Sequence, residues 1–179
     1  MINISDVVTT ASLENRTETE KTILLHLDAL KVPYELVDND IVETMEECKE
    51  IDNALGTEIR KSILLRNRKK TSFFLVILPA AKKLDVKSFS KKSGVSDLSF
   101  ASAEYMERFL KAMPGSASVM GLVNDEDNNV QLVIDREVAK DEWFGCNTGI
   151  NTSHIKIRTD DLLNKFLPKI QHKAMIMEL

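Results

Sequence analysis

Apolar residues recur at helical spacing in Ile23, Leu24, Leu27 and Leu30, behind a Thr17-Glu18-Thr19-Glu20 stretch that fits a capping box. The spacing predicts a helix from about Thr17 to Lys31, stopped by Pro33, followed by a short strand at Tyr34 to Asp38. A second capping box, Thr44 to Glu47, opens another helix toward Leu55. Lys61 to Arg66 and Ser72 to Leu78 are β-rich runs separated by the polar Asn67-Arg68-Lys69-Lys70, a pattern that predicts a hairpin. Its second strand is apolar at every position from Phe73 to Leu78 rather than alternating, so both of its faces are expected to be buried.

Pro79 ends that strand. Val86 to Lys92 predicts a short helix closed by Gly94, and Ala103 to Met113 a better one with Tyr105, Met106, Phe109 and Leu110 on one side. Ser118 to Asn124 and Val130 to Asp135 flank the acidic run Asp125 to Asn129, which suggests a second hairpin. His154 to Arg158 alternates as a strand does. Thr159 to Ile170 predicts the last long helix, with Leu162, Leu163, Phe166 and Leu167 as its inner stripe and Pro168 near its end, and Ala174 to Leu179 a closing strand. Helices and strands interleave without regular βαβ order, so the expectation is one mixed α/β domain over residues 1–179.

Length and composition agree with that picture: 179 residues, 43% apolar and 29% charged, suit a domain that buries roughly 70% of its unfolded surface. No run reaches the ~18 apolar residues of a membrane span. The opening Met1 to Thr10 has neither the basic stretch nor the apolar block of a signal peptide, so a cytoplasmic location is expected. Cys48 and Cys146 are then expected as reduced thiols.

Charge changes the picture more. The net value of −4 argues against general nucleic-acid binding and against DNA as a partner, yet it conceals a segregation. Residues 1–59 hold 4 basic against 14 acidic side chains, whereas residues 60–92 hold 11 basic against the single Asp85. If the fold gathers these basic side chains, among them Arg60, Arg66, Arg68, Lys69 and Lys70, they form a positive footprint for a polyanion such as RNA; otherwise they are a solvated face.

Standard catalytic signatures are missing. There is no G-x-S-x-G, no Gly-rich phosphate loop and no C-x-x-C, and His26, His154 and His172 are far apart with no carboxylate at metal spacing. Asp125-x-Asp127-x-Asn129 begins like a calcium loop, but Val130 and Arg136 stand where Gly and an acid are needed, so no metal is expected. A Cys146 and His154 pair is formally a nucleophile and base, although Cys146 reads as core and His154 as surface. Two loops remain. Pro114 to Gly121 can bring backbone amides close to a ligand, and Gly145 to Thr152 carries two amide side chains. Lys61 opens the apolar hairpin and, taken alone, is an ordinary strand-end lysine.

Read in order, these segments resemble the YbaK-type aminoacyl-tRNA deacylases, and among them the free-standing prolyl-tRNA editing branch, ProX. The resemblance covers nearly the whole chain. It is carried by Leu27-Asp28-Ala29-Leu30 with Pro33-Tyr34-Glu35; Lys61 to Arg66 with Phe74 to Pro79; Leu98-Ser99-Phe100-Ala101-Ser102; Pro114 to Ser118 with Gly121 to Asp125; and Asn151-Thr152.

The resemblance implies a mixed, partly barrel-like sheet with surrounding helices and a pocket for the 3′ end of a mischarged tRNA. It implies hydrolysis of the ester on tRNA(Pro), alanine first and cysteine next, with no cofactor, and prolyl-tRNA synthetase as a second partner. Lys61 corresponds to the family's functional lysine, Gly115 through Gly121 to its glycine-containing loop, with Ser116, Ser118 and Met120 inside it, and Asn124 to the asparagine that follows. Asn147, Asn151 and Thr152 belong to the family's His-Pro-x-x-Asn-Thr segment, here Asn147-Thr148-Gly149-Ile150-Asn151-Thr152. The chain departs from the family there, at Ser118-Val119-Met120-Gly121 in place of Ser-Pro-Phe-Gly, and at Ile59-Arg60 in place of His-Thr. Asparagine at 147 can hydrogen-bond but carries no proton at neutral pH, and Met for Phe makes an expected pocket wall more adaptable. A non-catalytic binder of aminoacyl-tRNA or an amino acid on the same fold stays open beside the deacylase.

Overall fold

The computed structural model describes residues 2–42 and 44–179. The first capping box forms as its sequence requires: Glu20 N donates to the Thr17 hydroxyl at 3.2 Å and Thr17 N donates to the Glu20 carboxylate at 2.9 Å. Helix α1 (Glu18–Ala29) follows, burying Ile23, Leu24 and Leu27, and strand β1 spans Tyr34–Asp38. Thr44 and Glu47 make the reciprocal bonds of the second box in the turn before α2 (Cys48–Leu55), which Gly56 closes in a left-handed conformation at φ 63°. The hairpin is β2 (Lys61–Asn67) and β3 (Phe73–Leu78), and every residue of β3 is buried.

Asp85 caps α3 (Val86–Ser93), accepting from the amides of Lys87 and Ser88, and Gly94 ends it at φ 71°. Strand β4 (Leu98–Phe100) and helix α4 (Ala103–Leu110) come next. The expected second hairpin does not form. Val119–Asn124 is a 3₁₀ helix, because the Ser118 hydroxyl accepts from Met120 N and Gly121 lies so close to α4 that a Cβ there would sit 3.1 Å from the Leu110 carbonyl. The acidic run folds on itself instead, with the Asp125 carboxylate accepting from the amides of Asn129 and Val130. Strand β5 (Val130–Asp135) then pairs with β3 in parallel.

Helix α5 (Arg136–Lys140) and strand β6 (Trp143–Asn147) had no periodic signal; Gly145 and Asn147, weak strand formers, made β6 read as loop. Strand β7 is Ser153–Arg158. The last helix runs through Thr159–Asp161, a π-helical turn at Leu162–Phe166 and Leu167–Lys169. The widened turn lies just ahead of Pro168, whose ring and missing N–H would conflict with regular i to i−4 bonding. Strand β8 (Ala174–Met177) closes the order.

The strands form a five-stranded sheet, β4-β2-β3-β5-β8, and a three-stranded antiparallel sheet, β1-β7-β6. They touch at a parallel bridge between Ile59 and Gly145, where Arg60 N donates to the Gly145 carbonyl at 2.8 Å. The sheets meet there without closing into a barrel, in the mixed α/β architecture that was expected. The largest core packs α1, α4 and the last helix against inner faces of both sheets, around Leu75, Ile77, Leu132, Phe144 and Phe166. Among the described residues no helix is long and apolar enough to cross a membrane.

Candidate active site

A cleft of about 300 Å³ opens where the two sheets meet. It is lined by Arg60 and the head of β2 (Lys61 to Leu64), the Thr44 to Cys48 turn, Phe100 at the end of β4 and Ala101 after it, Met106 of α4, Gly115 and Ala117, and Asn147, Asn151 and His154 from the side of the other sheet. Strand β4 pairs only with Leu65–Asn67 of β2, and Ala101 N takes the Leu64 carbonyl at 2.8 Å. The Lys61 to Ile63 edge of β2 is therefore left facing the cleft.

Lys61 is half-buried, opposite Leu78 in the β2–β3 register, and its ammonium donates to the Lys82 carbonyl at 2.7 Å. That anchors the head group by one N–H and leaves two for a ligand. Gly115 lines the cleft at φ 90°, a left-handed conformation that suits glycine. Asn147 accepts from Gly149 N at 2.9 Å through Oδ1, and among the described residues no group accepts from its amide N–H. Arg60, Lys61, Cys48 and His154 are the titratable side chains on the cleft among the described residues; no carboxylate lines it. Arg60 is neutralised by Glu58 and Asp141, so Lys61 is the cation that the described walls present; they favour an anionic group and offer no carboxylate pair.

Other expected site residues lie behind the walls. Ser116 is buried and donates to the Met113 carbonyl at 2.8 Å. The Ser118 hydroxyl donates to the Asn147 carbonyl at 2.7 Å, tying the 3₁₀ turn to the end of β6. Met120 is fully buried in the main core instead of forming a pocket wall, and Gly121 packs on α4. Asn124 uses its amide on Thr19, Leu110 and Gly121. Thr152 gives its carbonyl to Asn39 N at 2.9 Å. These residues shape the cleft without lining it.

The basic segment is divided. Arg60, expected on a tRNA backbone, is buried in ion pairs with Glu58 at 2.8 Å and Asp141 at 2.7 Å, a strut between the start of β2 and the approach to β6. Lys82 is likewise held by Asp135 and Glu137. Arg66 is half-buried and bonds the Asn67 carbonyl. Arg68, Lys69 and Lys70 are exposed on the β2–β3 turn, about 20 Å along the strand from Lys61.

Cys146 and His154 do not act as a pair. Burial pushes the Cys146 thiol up to about 12 and lowers the His154 imidazole to about 4, and Cys146 lies across from Ile155 rather than His154. Both cysteines are free and buried, Cys48 with its thiol raised to about 11 by burial. His154 is on the cleft rather than the surface, a placement that alternation along one strand could not reveal. Phe100 and Ala101 lie in a segment the resemblance marked without assigning a role.

At the junction of the sheets, a Cβ on Gly145 would sit 2.8 Å from the Glu58 carbonyl and 3.0 Å from the side chains of Ile59 and Thr57. Gly145→Ala is expected to destabilise the fold by about 2 kcal/mol through overpacking against backbone. For a chain of this size that lowers the thermal midpoint by roughly 4–8 °C, read by calorimetry. An unchanged midpoint would show that the sheets part there without cost.

Comparison with known proteins places the chain in a family. Residues 40–165 match the model of the aminoacyl-tRNA editing domain. The chain is 30% identical over 145 residues, 81% of its length and 88% of the relative's, to the prolyl-tRNA editing protein ProX of Acetoanaerobium sticklandii. It is 30% identical over 127 residues, 70% of its length and 72% of the relative's, to the mouse prolyl-tRNA synthetase associated domain-containing protein 1. A solved structure described as a candidate trans-editing enzyme for prolyl-tRNA synthetase superposes with a TM-score of 0.66 at 15% identity, over 92% of this chain and 98% of that one, and so shares the fold. The chain belongs to the aminoacyl-tRNA editing domain family, and is with it a hydrolase of aminoacyl-tRNA esters.

Proposed function

We propose that the cleft hydrolyses the ester that joins a wrong amino acid to tRNA(Pro), alanine first and cysteine next, and that residues 1–179 act as one editing domain in the cytoplasm. The observation that carries this reading is the Lys61 ammonium, anchored by Lys82 at the head of β2 in a cleft that no carboxylate lines among the described residues. The relatives' names, one a prolyl-tRNA editing protein and the other associated with prolyl-tRNA synthetase, support tRNA(Pro) as the carrier and the synthetase as a partner.

Ester hydrolysis needs a held water and donors for the oxyanion. Lys61 supplies an ammonium, Asn147 an amide and the Gly115 loop a close-lying backbone; one well-placed donor is worth roughly 3 kcal/mol in the transition state. Lys61 orients the aminoacyl ester through its carbonyl or the neighbouring phosphate, and the terminal ribose hydroxyl assists the water. Small amino acids enter, and larger ones are refused by the walls, since exclusion discriminates better than filling a cavity. The exposed Arg68, Lys69 and Lys70 offer the tRNA backbone a place to rest.

The test is release of free amino acid from alanyl-, cysteinyl- and prolyl-tRNA(Pro) by the purified chain. Alanyl ester is expected to be cleaved fastest and prolyl ester to survive. Hydrolysis no faster than the spontaneous rate, with tRNA still bound, would overturn the reading and leave a binding protein on this fold.

A further inference from the structure

His154 is the one imidazole of the cleft among the described residues; the reading above leaves its chemistry unused, and its orientation is fixed. It lies on β7 directly across from Asn147 of β6, and cross-strand partners of an antiparallel pair project from the same face. Both line the cleft. The ring is held in one tautomer. Asn39 Nδ2 donates to the carbonyl of Asp40 at 2.7 Å and to that of Asn151 at 3.1 Å, so its amide hydrogens are committed and its oxygen is the atom that faces His154 Nδ1, at 2.8 Å. An amide oxygen only accepts, which puts the imidazole proton on Nδ1 and leaves a lone pair on Nε2. Among the described residues no protein group bonds that nitrogen. Burial keeps the ring neutral, lowering it to about 4.

We propose that Nε2 of His154 accepts a hydrogen bond from the water that attacks the aminoacyl ester, and that Asn39 is the positioning residue that fixes the imidazole for this task. The proposal rests on the deacylase reading of the cleft. The water oxygen bonds to the ester carbonyl carbon, and the bond from that carbon to the ribose oxygen breaks. One water proton passes to the departing ribose oxygen, and the carboxylic acid formed releases the other to solvent. A ring this hard to protonate does not keep the proton. It aims the water's lone pair at the carbonyl while the opposite wall, Lys61, faces the developing oxyanion.

The test uses two variants of the full chain in single-turnover deacylation of mischarged tRNA(Pro). His154→Asn keeps a donor beside Asn39 and has no atom at the Nε2 position, whereas His154→Gln reaches that position with an acceptor oxygen. The expected result is a rate about 10- to 100-fold lower in His154→Asn, most of it recovered in His154→Gln, with affinity for uncharged tRNA(Pro) unchanged in both. Equal, undiminished rates in both variants would overturn the inference alone, because the wild type would still be a deacylase. Equal losses in both, accompanied by weaker tRNA affinity, would also overturn it by reducing His154 to a packing residue. A wild type that cleaves none of the esters would overturn the deacylase reading and this inference with it.

Discussion

Lys61→Ala is expected to lower the single-turnover rate of ester hydrolysis by roughly 10²- to 10³-fold, the loss that follows removal of one preorganised donor to an oxyanion. The side chain is half-buried and makes one recorded hydrogen bond, to the Lys82 carbonyl, so its removal exposes that carbonyl to water and leaves the β2–β3 register intact. The fold is therefore expected to survive, with a thermal midpoint close to wild type. Lys61→Arg would keep the charge and replace a compact ammonium by a planar fork, and is expected to recover only part of the rate. The kinetic split decides the role. If Lys61 stabilises the transition state, the chemical step slows at saturating tRNA; if it holds a phosphate in ground state and transition state alike, KM rises and kcat stays. An alanine variant with wild-type values of both would remove Lys61 from the mechanism.

The second large effect is on stability, and pH reveals it. His154 titrates at about 4 in the folded chain and near 6.5 when unfolded. Between these values the unfolded chain binds the proton and the folded chain does not, so stability is fully present above pH 6.5 and falls as pH drops toward 4. The full difference amounts to about 3 kcal/mol. His26, lowered by burial and by Lys169, contributes with the same sign. Asp52, raised mainly by burial, opposes it at the acid end, because its folded form takes up a proton first. Urea midpoints measured from pH 7 to pH 4.5 are expected to decline steeply in the wild type and much less in His154→Gln, which has no proton to bind. Parallel declines in the two proteins would exclude the buried imidazole as the cause.

Local chemistry was largely legible. Both capping boxes, the left-handed closure at Gly94, and the β2–β3 hairpin with its buried second strand are governed by residues a few positions apart, so periodicity and end signals specify them. Errors arose where a segment's partner is distant. Ser118 to Asn124 has the apolar content of a strand, yet Gly121 is held against Leu110 and the backbone coils to fit. The strand signal of Trp143–Asn147 is interrupted by Gly145 and Asn147, yet that glycine is what permits the two sheets to approach at Ile59.

The candidate site divides in the same way. Lys61, Gly115, Asn147 and Asn151 could be singled out as lysine, glycine and amides in promising segments, and the structure brings all four to one cleft. What the basic run 60–92 would do could not be read from its composition. Charge density is a property of the chain, but whether a given cation is free depends on acids elsewhere: Asp141 takes Arg60 and Asp135 takes Lys82, 81 and 53 positions away. His154 was equally opaque, since its tautomer and neutrality come from Asn39 and from burial between two sheets. The sequence by itself determined the locally specified elements and the family, and singled out the lysine as a candidate, because capping, periodicity and motif order act through near neighbours. The tertiary structure alone decided which side chains are free to act, because burial and pairing are set by residues that meet only when the two sheets do.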